Sequence, residues 1–209
     1  MPLFTNGCNP DSCLRQPTTL NNISGMRIIG AILGVLVFLA APAGMAEPGK
    51  ASTLDQLFAV LHRTIDPEEA NRVTSLIWVV WNHAEDPETD RLLTEGTTAL
   101  KKLDFETALA RFNAVITRDP EFAEGWNKRA TLYYVMGEYR KSIADIDQVL
   151  EREPRHFGAL AGLGMNFEAL GYDRRALNAW RRALKANPYL PDARARIKAL
   201  ETSLSNRPI

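Results

Sequence analysis

Residues 123–156 read AEGWNKRATLYYVMGEYRKSIADIDQVLEREPRH. Apolar and aromatic residues fall at steps of three and four, with Trp126, Ala130 and Tyr133 in the first half and Ile143, Ile146, Val149 and Leu150 in the second. That is the period of two amphipathic helices. Gly137 separates them where a helix end favours a left-handed residue, and the second helix is expected over about 140–152. Glu153-Pro154 is expected to open the next helix with Pro at its first position, where a missing N–H costs nothing. Asp119-Pro120 does the same one copy earlier.

The pattern repeats. Pro120, Pro154 and Pro188 are 34 residues apart, and Gly96, Ala130 and Gly164 keep the same interval. So do Phe112, Ile146 and Trp180, and Val115, Val149 and Ala183. One such hairpin cannot bury its apolar face alone, so the copies must stack. The alternation of large, small and aromatic residues closed by Pro resembles the tetratricopeptide repeat. The second copy carries the resemblance most fully, through Trp126, Ala130, Tyr133, Gly137, Tyr139, Ile143, Ile146 and Pro154. The resemblance implies an all-α, right-handed solenoid of three hairpins, at 89–122, 123–156 and 157–190. Arg129 and Asp145, 16 residues apart on the two helices of one hairpin, are expected to form a structural ion pair. Trp126 and Trp180 are expected between neighbouring hairpins.

The flanks are expected to be caps. Residues 47–88 hold two helical patterns, Leu54, Leu57, Phe58 and Leu61, then Ala70, Val73, Ile77 and Trp81. Asp66-Pro67 starts the second of them. This hairpin is expected to cover the open end of the first repeat. Residues 191–209 form a C-terminal capping helix with Ile197, Leu200 and Leu204 inward.

Upstream, residues 28–41 (IIGAILGVLVFLAA) are uncharged and follow Arg27, and small residues lead to GMA–EPGK at 44–50. Fourteen apolar residues are short for a membrane span, which needs about 20. A basic start, a short apolar run and small residues before the junction are the parts of a secretory signal peptide. Residues 1–46 are therefore expected to be an address, with translation from Met1 or from Met26 and cleavage after Ala46 or Ala43. The periplasm is the expected location. The alternative is an uncleaved inner-membrane anchor facing the same space. Both cysteines, Cys8 and Cys13, precede the junction.

The 209 residues are 45% apolar and 24% charged, with 25 basic and 25 acidic side chains. That balance argues against a nucleic-acid partner. Metalloprotease, nucleophile-elbow, phosphate-loop and dinucleotide motifs are absent. His62, His83 and His156 stand at no ligand spacing. No catalytic residue, cofactor or metal is expected, and the chain reads as a non-catalytic binding module.

The resemblance implies a concave groove lined by the first helix of each hairpin, where a peptide or partner protein lies. The residues so mapped are Leu93, Thr97 and Leu100, then Asn127, Thr131 and Tyr134, then Ala161, Met165 and Glu168. Chaperone-binding members grip a C-terminal carboxylate with a clamp of Lys, Arg and Asn. Here Leu93, Thr97, Gly158 and Gly162 take four clamp positions and only Lys128 is basic, so that ligand is not expected. Tyr134 and Met165 either meet a ligand or pack on a cap helix.

Charge is uneven, with 14 basic and 21 acidic residues over 47–170 and 9 against 3 over 171–209. Arg174, Arg175, Arg181, Arg182 and Lys185 fall on one helix and either solvate its outer face or meet an anionic envelope surface. A rival to the groove is a homo-oligomer joined through an exposed Trp78 or Tyr134.

Overall fold

A computed structural model describes residues 49–206. The apolar segment, both cysteines and the expected cleavage junction lie outside the described residues. Within them are nine α-helices and no strand: α1 Lys50–Arg63, α2 Pro67–Asn82, α3 Pro87–Lys101, α4 Phe105–Arg118, α5 Ala123–Val135, α6 Tyr139–Arg152, α7 Phe157–Ala169, α8 Asp173–Ala186 and α9 Ala193–Ser205. The hairpins α3–α4, α5–α6 and α7–α8 stack in order, and α9 closes the stack on α8.

Local chemistry sets several helix starts. The Asp66, Asp86 and Asp104 carboxylates accept from the backbone N–H of Glu68, Thr89 and Thr107, capping α2, α3 and α4. Pro67 and Pro87 stand at first helical positions. Pro120 and Pro154 do not: α5 begins at Ala123 and α7 at Phe157. Each Pro is instead the second residue of a tight turn, closed by Phe122 N–H to Asp119 O at 3.2 Å and His156 N–H to Glu153 O at 3.0 Å. Proline's fixed φ suits that position as well as a helix start.

The turns inside the hairpins share one form. In the second and third, Gly137 (φ 77°) and Gly171 (φ 73°) are left-handed. Glu138 N–H reaches Tyr133 O and Tyr172 N–H reaches Phe167 O, both at 2.8 Å. The first hairpin makes the same turn with Leu103 at φ 62° and Asp104 N–H on Ala99 O. Leucine there bears a Cβ penalty that glycine avoids.

Trp180 is buried against Gly164, where a Cβ would stand 2.7 Å from its Nε1. Trp126 is only half-buried: it packs against the cluster of Ala130, Ile146, Val149, Ala159 and Leu163 that joins the second and third hairpins, donates to Pro120 O at 2.9 Å, and has Arg129 and Arg152 over its ring. The Arg129–Asp145 pair is present and bidentate, at 2.7 and 2.8 Å.

The α1–α2 hairpin lies elsewhere than over the end of the first repeat. It runs as a strap along the edge where one repeat turns into the next. At the first such turn Lys50 Nζ lies 5.1 Å from the Phe122 ring centre and donates to His83 O. At the second Asp55 pairs with Arg155 at 2.7 Å, and Phe58 meets Phe157 edge-on. At the third His62 Nε2 lies 3.0 Å from Lys185 O, and Tyr189 O–H donates to Thr64 O at 2.6 Å. The aromatic residues of the hairpin explain the choice. Phe58, Trp78 and Trp81 pack on Phe157. The equivalent places 34 and 68 residues earlier hold Ala123 and Thr89.

Candidate functional site

The strap narrows the concave face. Trp78 is half-buried over Gly158, where a Cβ would meet Cη2 at 2.5 Å. Beside it is a cavity of about 50 Å³ lined by Trp78, Asn127, Thr131, Tyr134, Met165 and Asn166, among others. Ala161 also lines it, so five of the nine sequence-mapped groove residues meet here. The other four lie apart. Leu93 is 5% exposed within the first repeat's core. Leu100 packs against that core, and the Thr97 hydroxyl donates to Leu93 O at 2.7 Å. Glu168 accepts from the Trp180 indole and from Arg196.

Beneath Trp78 and Trp81 is a polar cluster that spacing did not reveal. Glu124 and His156 are both fully buried, with Nε2 of the imidazole 3.1 Å from the carboxylate. Nδ1 accepts the Ala159 N–H at 3.0 Å and so caps α7. With Nδ1 accepting, the proton belongs on Nε2, which donates to Glu124. Asn127 Nδ2 donates to the same carboxylate at 3.0 Å, and Lys128 Nζ stands 2.8 Å from its other oxygen. Burial alone pushes the Glu124 carboxyl up. Lys128 and His156 outweigh it and hold the group down at about 2. The Trp81 indole stacks on the imidazole with ring centres 4.0 Å apart, and Trp78 meets it edge-on.

Two consequences follow for ligands. Lys128, the one basic residue at a clamp position, is paired with Glu124, so among the described residues no clamp position offers a free cation to a terminal carboxylate. Asn166 places an amide at the cavity floor, with Nδ2 donating to Ser142 Oγ at 2.9 Å and to Gly162 O at 2.8 Å, while its buried Oδ1 has no partner. Among the described residues no group of three or more His, Cys, Asp or Glu is arranged to hold a metal. On α8, Arg181 pairs with Glu201 at 2.6 Å and Arg175 lies over the Tyr172 and Phe167 rings. Arg174, Arg182 and Lys185 are exposed.

A stack of helical hairpins with a concave face of mixed polarity is a repeat-built protein-interaction module. The chain belongs to the tetratricopeptide repeat family, whose model matches residues 93–135 and 127–171. A TPR repeat-containing protein of Rhizobium etli is 38% identical over 160 residues, 77% of this chain and 78% of that protein. Two solved structures share the fold. The first TPR of Spaghetti (RPAP3) bound to the HSP90 peptide SRMEEVD has a TM-score of 0.56 at 17% identity, covering 59% of this chain and 98% of that one. The Sgt2 TPR domain from Aspergillus fumigatus has a TM-score of 0.55 at 18% identity, covering 60% and 89%.

Proposed function

We propose that the chain is an exported, non-catalytic adaptor that holds an uncharged, partly apolar segment of a partner protein against Thr131, Tyr134, Ala161 and Met165. The observation that carries this reading is the cleft beside Trp78. It is apolar at its walls, amide-bearing at its floor, and without a free cation. The HSP90 peptide of the RPAP3 structure ends in an acidic tail; the segment suited to this cleft does not. Export is supported by the residues around 27–50, and envelope assembly or maturation is the setting that follows from it.

The test uses the full chain with a photocrosslinker at Tyr134, offered to envelope extract. Thr131→Arg and Met165→Glu should each abolish the crosslinked species while leaving the melting temperature within a few degrees. Equal yields from parent and variants would overturn the groove. Separately, sequencing of the protein from the envelope fraction should give Glu47 as the first residue, whereas a start at Met1 or Met26 would mean an anchor. The homo-oligomer has less support, because Trp78 is already seated on Gly158 within the chain.

A further inference from the structure

The edge opposite the strap has no role in the groove. It is formed by the three turns inside the hairpins, separated from the inter-repeat turns by helices of 13 to 15 residues, or about 20 Å. Each turn presents large apolar side chains to solvent. Leu103 is 67% exposed, Met136 40% and Tyr172 44%, with Val135 beside Met136. Leu103 holds its place although a left-handed backbone disfavours it, where the other two copies have glycine. A strained, exposed leucine gives nothing to packing.

Cations flank these tips. Lys101 and Lys102 precede Leu103, Arg140 and Lys141 follow the second turn, and Arg174 and Arg175 follow the third. The acids at this edge are Asp104 and Glu106, Glu138 and Asp173. Asp104 is committed to its helix cap and Glu138 lies 3.4 Å from Lys141. Ser203 Oγ donates to Asp173. Among the described residues Lys101, Arg140 and Arg174 make no ion pair. Between the second and third turns lies an open cleft of about 420 Å³. Arg140 and Arg175 stand at its rim, with Asp147 beside them and Ile143, Leu163 and Phe167 below. The strap edge is mixed: Arg72 pairs with Asp66 and Glu68, Arg152 pairs with Glu121, and Lys50 and Arg155 stand beside the inter-repeat turns.

We propose that this edge docks on an anionic lipid bilayer, with Leu103, Met136 and Tyr172 entering the interface and the neighbouring Lys and Arg side chains meeting the headgroups. Apolar tips ringed by cations match the two layers of such a surface, the acyl boundary and the phosphates above it. The strap edge would then face away. This inference is independent of the adaptor reading, since none of these residues lines the cleft beside Trp78.

The experiment is flotation of the full chain with vesicles of phosphatidylglycerol and phosphatidylcholine, against phosphatidylcholine alone, at 0.1 M salt. The parent should bind the anionic vesicles far more tightly. The triple variant Lys102→Glu, Arg140→Glu, Arg174→Glu should lose about a hundredfold, from roughly fivefold per cation. Leu103→Gly should melt no lower than the parent, since glycine takes the left-handed turn without penalty, and yet bind several-fold more weakly. That variant separates docking from folding. Three results would each overturn the proposal. They are equal binding to both vesicle types, undiminished binding by the triple variant (which would put attachment on residues 28–41), and unchanged binding by Leu103→Gly.

Discussion

The junction between the first and second repeats and the junction between the second and third are built on the same backbone with different chemistry. At the first, Phe122 stands before α5 with no side-chain cap, and it packs with Val115 and Leu132. At the second, 34 residues on, His156 caps α7 and reaches Glu124. At the apolar junction the strap sets Lys50, not an aromatic ring, over the Phe122 ring. The polar one buries an ionised carboxylate and an imidazole, and Trp78 and Trp81 of the strap close over it. A buried ion is costly unless every partner is in place. The strap is therefore held in register by the polar junction as well as by apolar burial, and it lands on the third repeat.

The largest effect should come from making the second junction like the first. His156→Phe keeps the ring and removes both the α7 cap and a donor to Glu124. It should cost about 3–5 kcal/mol in urea unfolding, the usual range when one partner of a buried pair is lost. A cost under about 1 kcal/mol would mean the two junctions are interchangeable.

The second effect is acid sensitivity. The Glu124 carboxyl is held down at about 2, below its ordinary 4.5. A depressed acid contributes stability that is present above the ordinary value and lost as pH falls through the depressed one. The contribution should therefore fade between pH 4.5 and 2, by about 3 kcal/mol. Glu124→Gln should be less stable than the parent at neutral pH, and the gap should close over that window. A gap constant from pH 7 to 2.5 would show that the charge contributes nothing.

The smallest effects come from two glycines on α7. Gly158→Ala drives a methyl into the Trp78 ring and should cost about 1–3 kcal/mol as overpacking. Gly162→Ala meets only Ile146 Cδ1 at 3.5 Å, and should gain about 0.5–1 kcal/mol from helix propensity. Equal effects at the two positions would mean that Trp78 does not rest on α7.

The hairpins were readable because a 34-residue period reports on stacking that each copy makes with its neighbour. Gly137, the Arg129–Asp145 pair and the buried Trp180 came from that register. The strap was not readable. Its helices carry no repeat signature, and their contacts lie about a hundred residues away, as with Asp55 and Arg155. His156 appeared as an isolated histidine, because its partner Glu124 is 32 positions away on a different hairpin and Phe122 and Glu88 fill its place in the other copies. Trp126 was legible in part: its place in the register sets it against the second and third hairpins, but the cover that Arg129 and Arg152 give its half-buried ring does not show in the spacing. In the groove, the mapped positions share a helix face, but Leu93 is drawn into the core of the first repeat and Glu168 is held by Trp180 and Arg196.

The central claim is that the first hairpin is seated on the third repeat. Nuclear Overhauser spectroscopy of the labelled protein tests it most directly. Cross-peaks should join the Trp81 indole protons to the His156 ring and the Trp78 indole protons to the Gly158 α-protons. Cross-peaks from both tryptophans to residues of α3 alone, with none to His156 or Gly158, would contradict it.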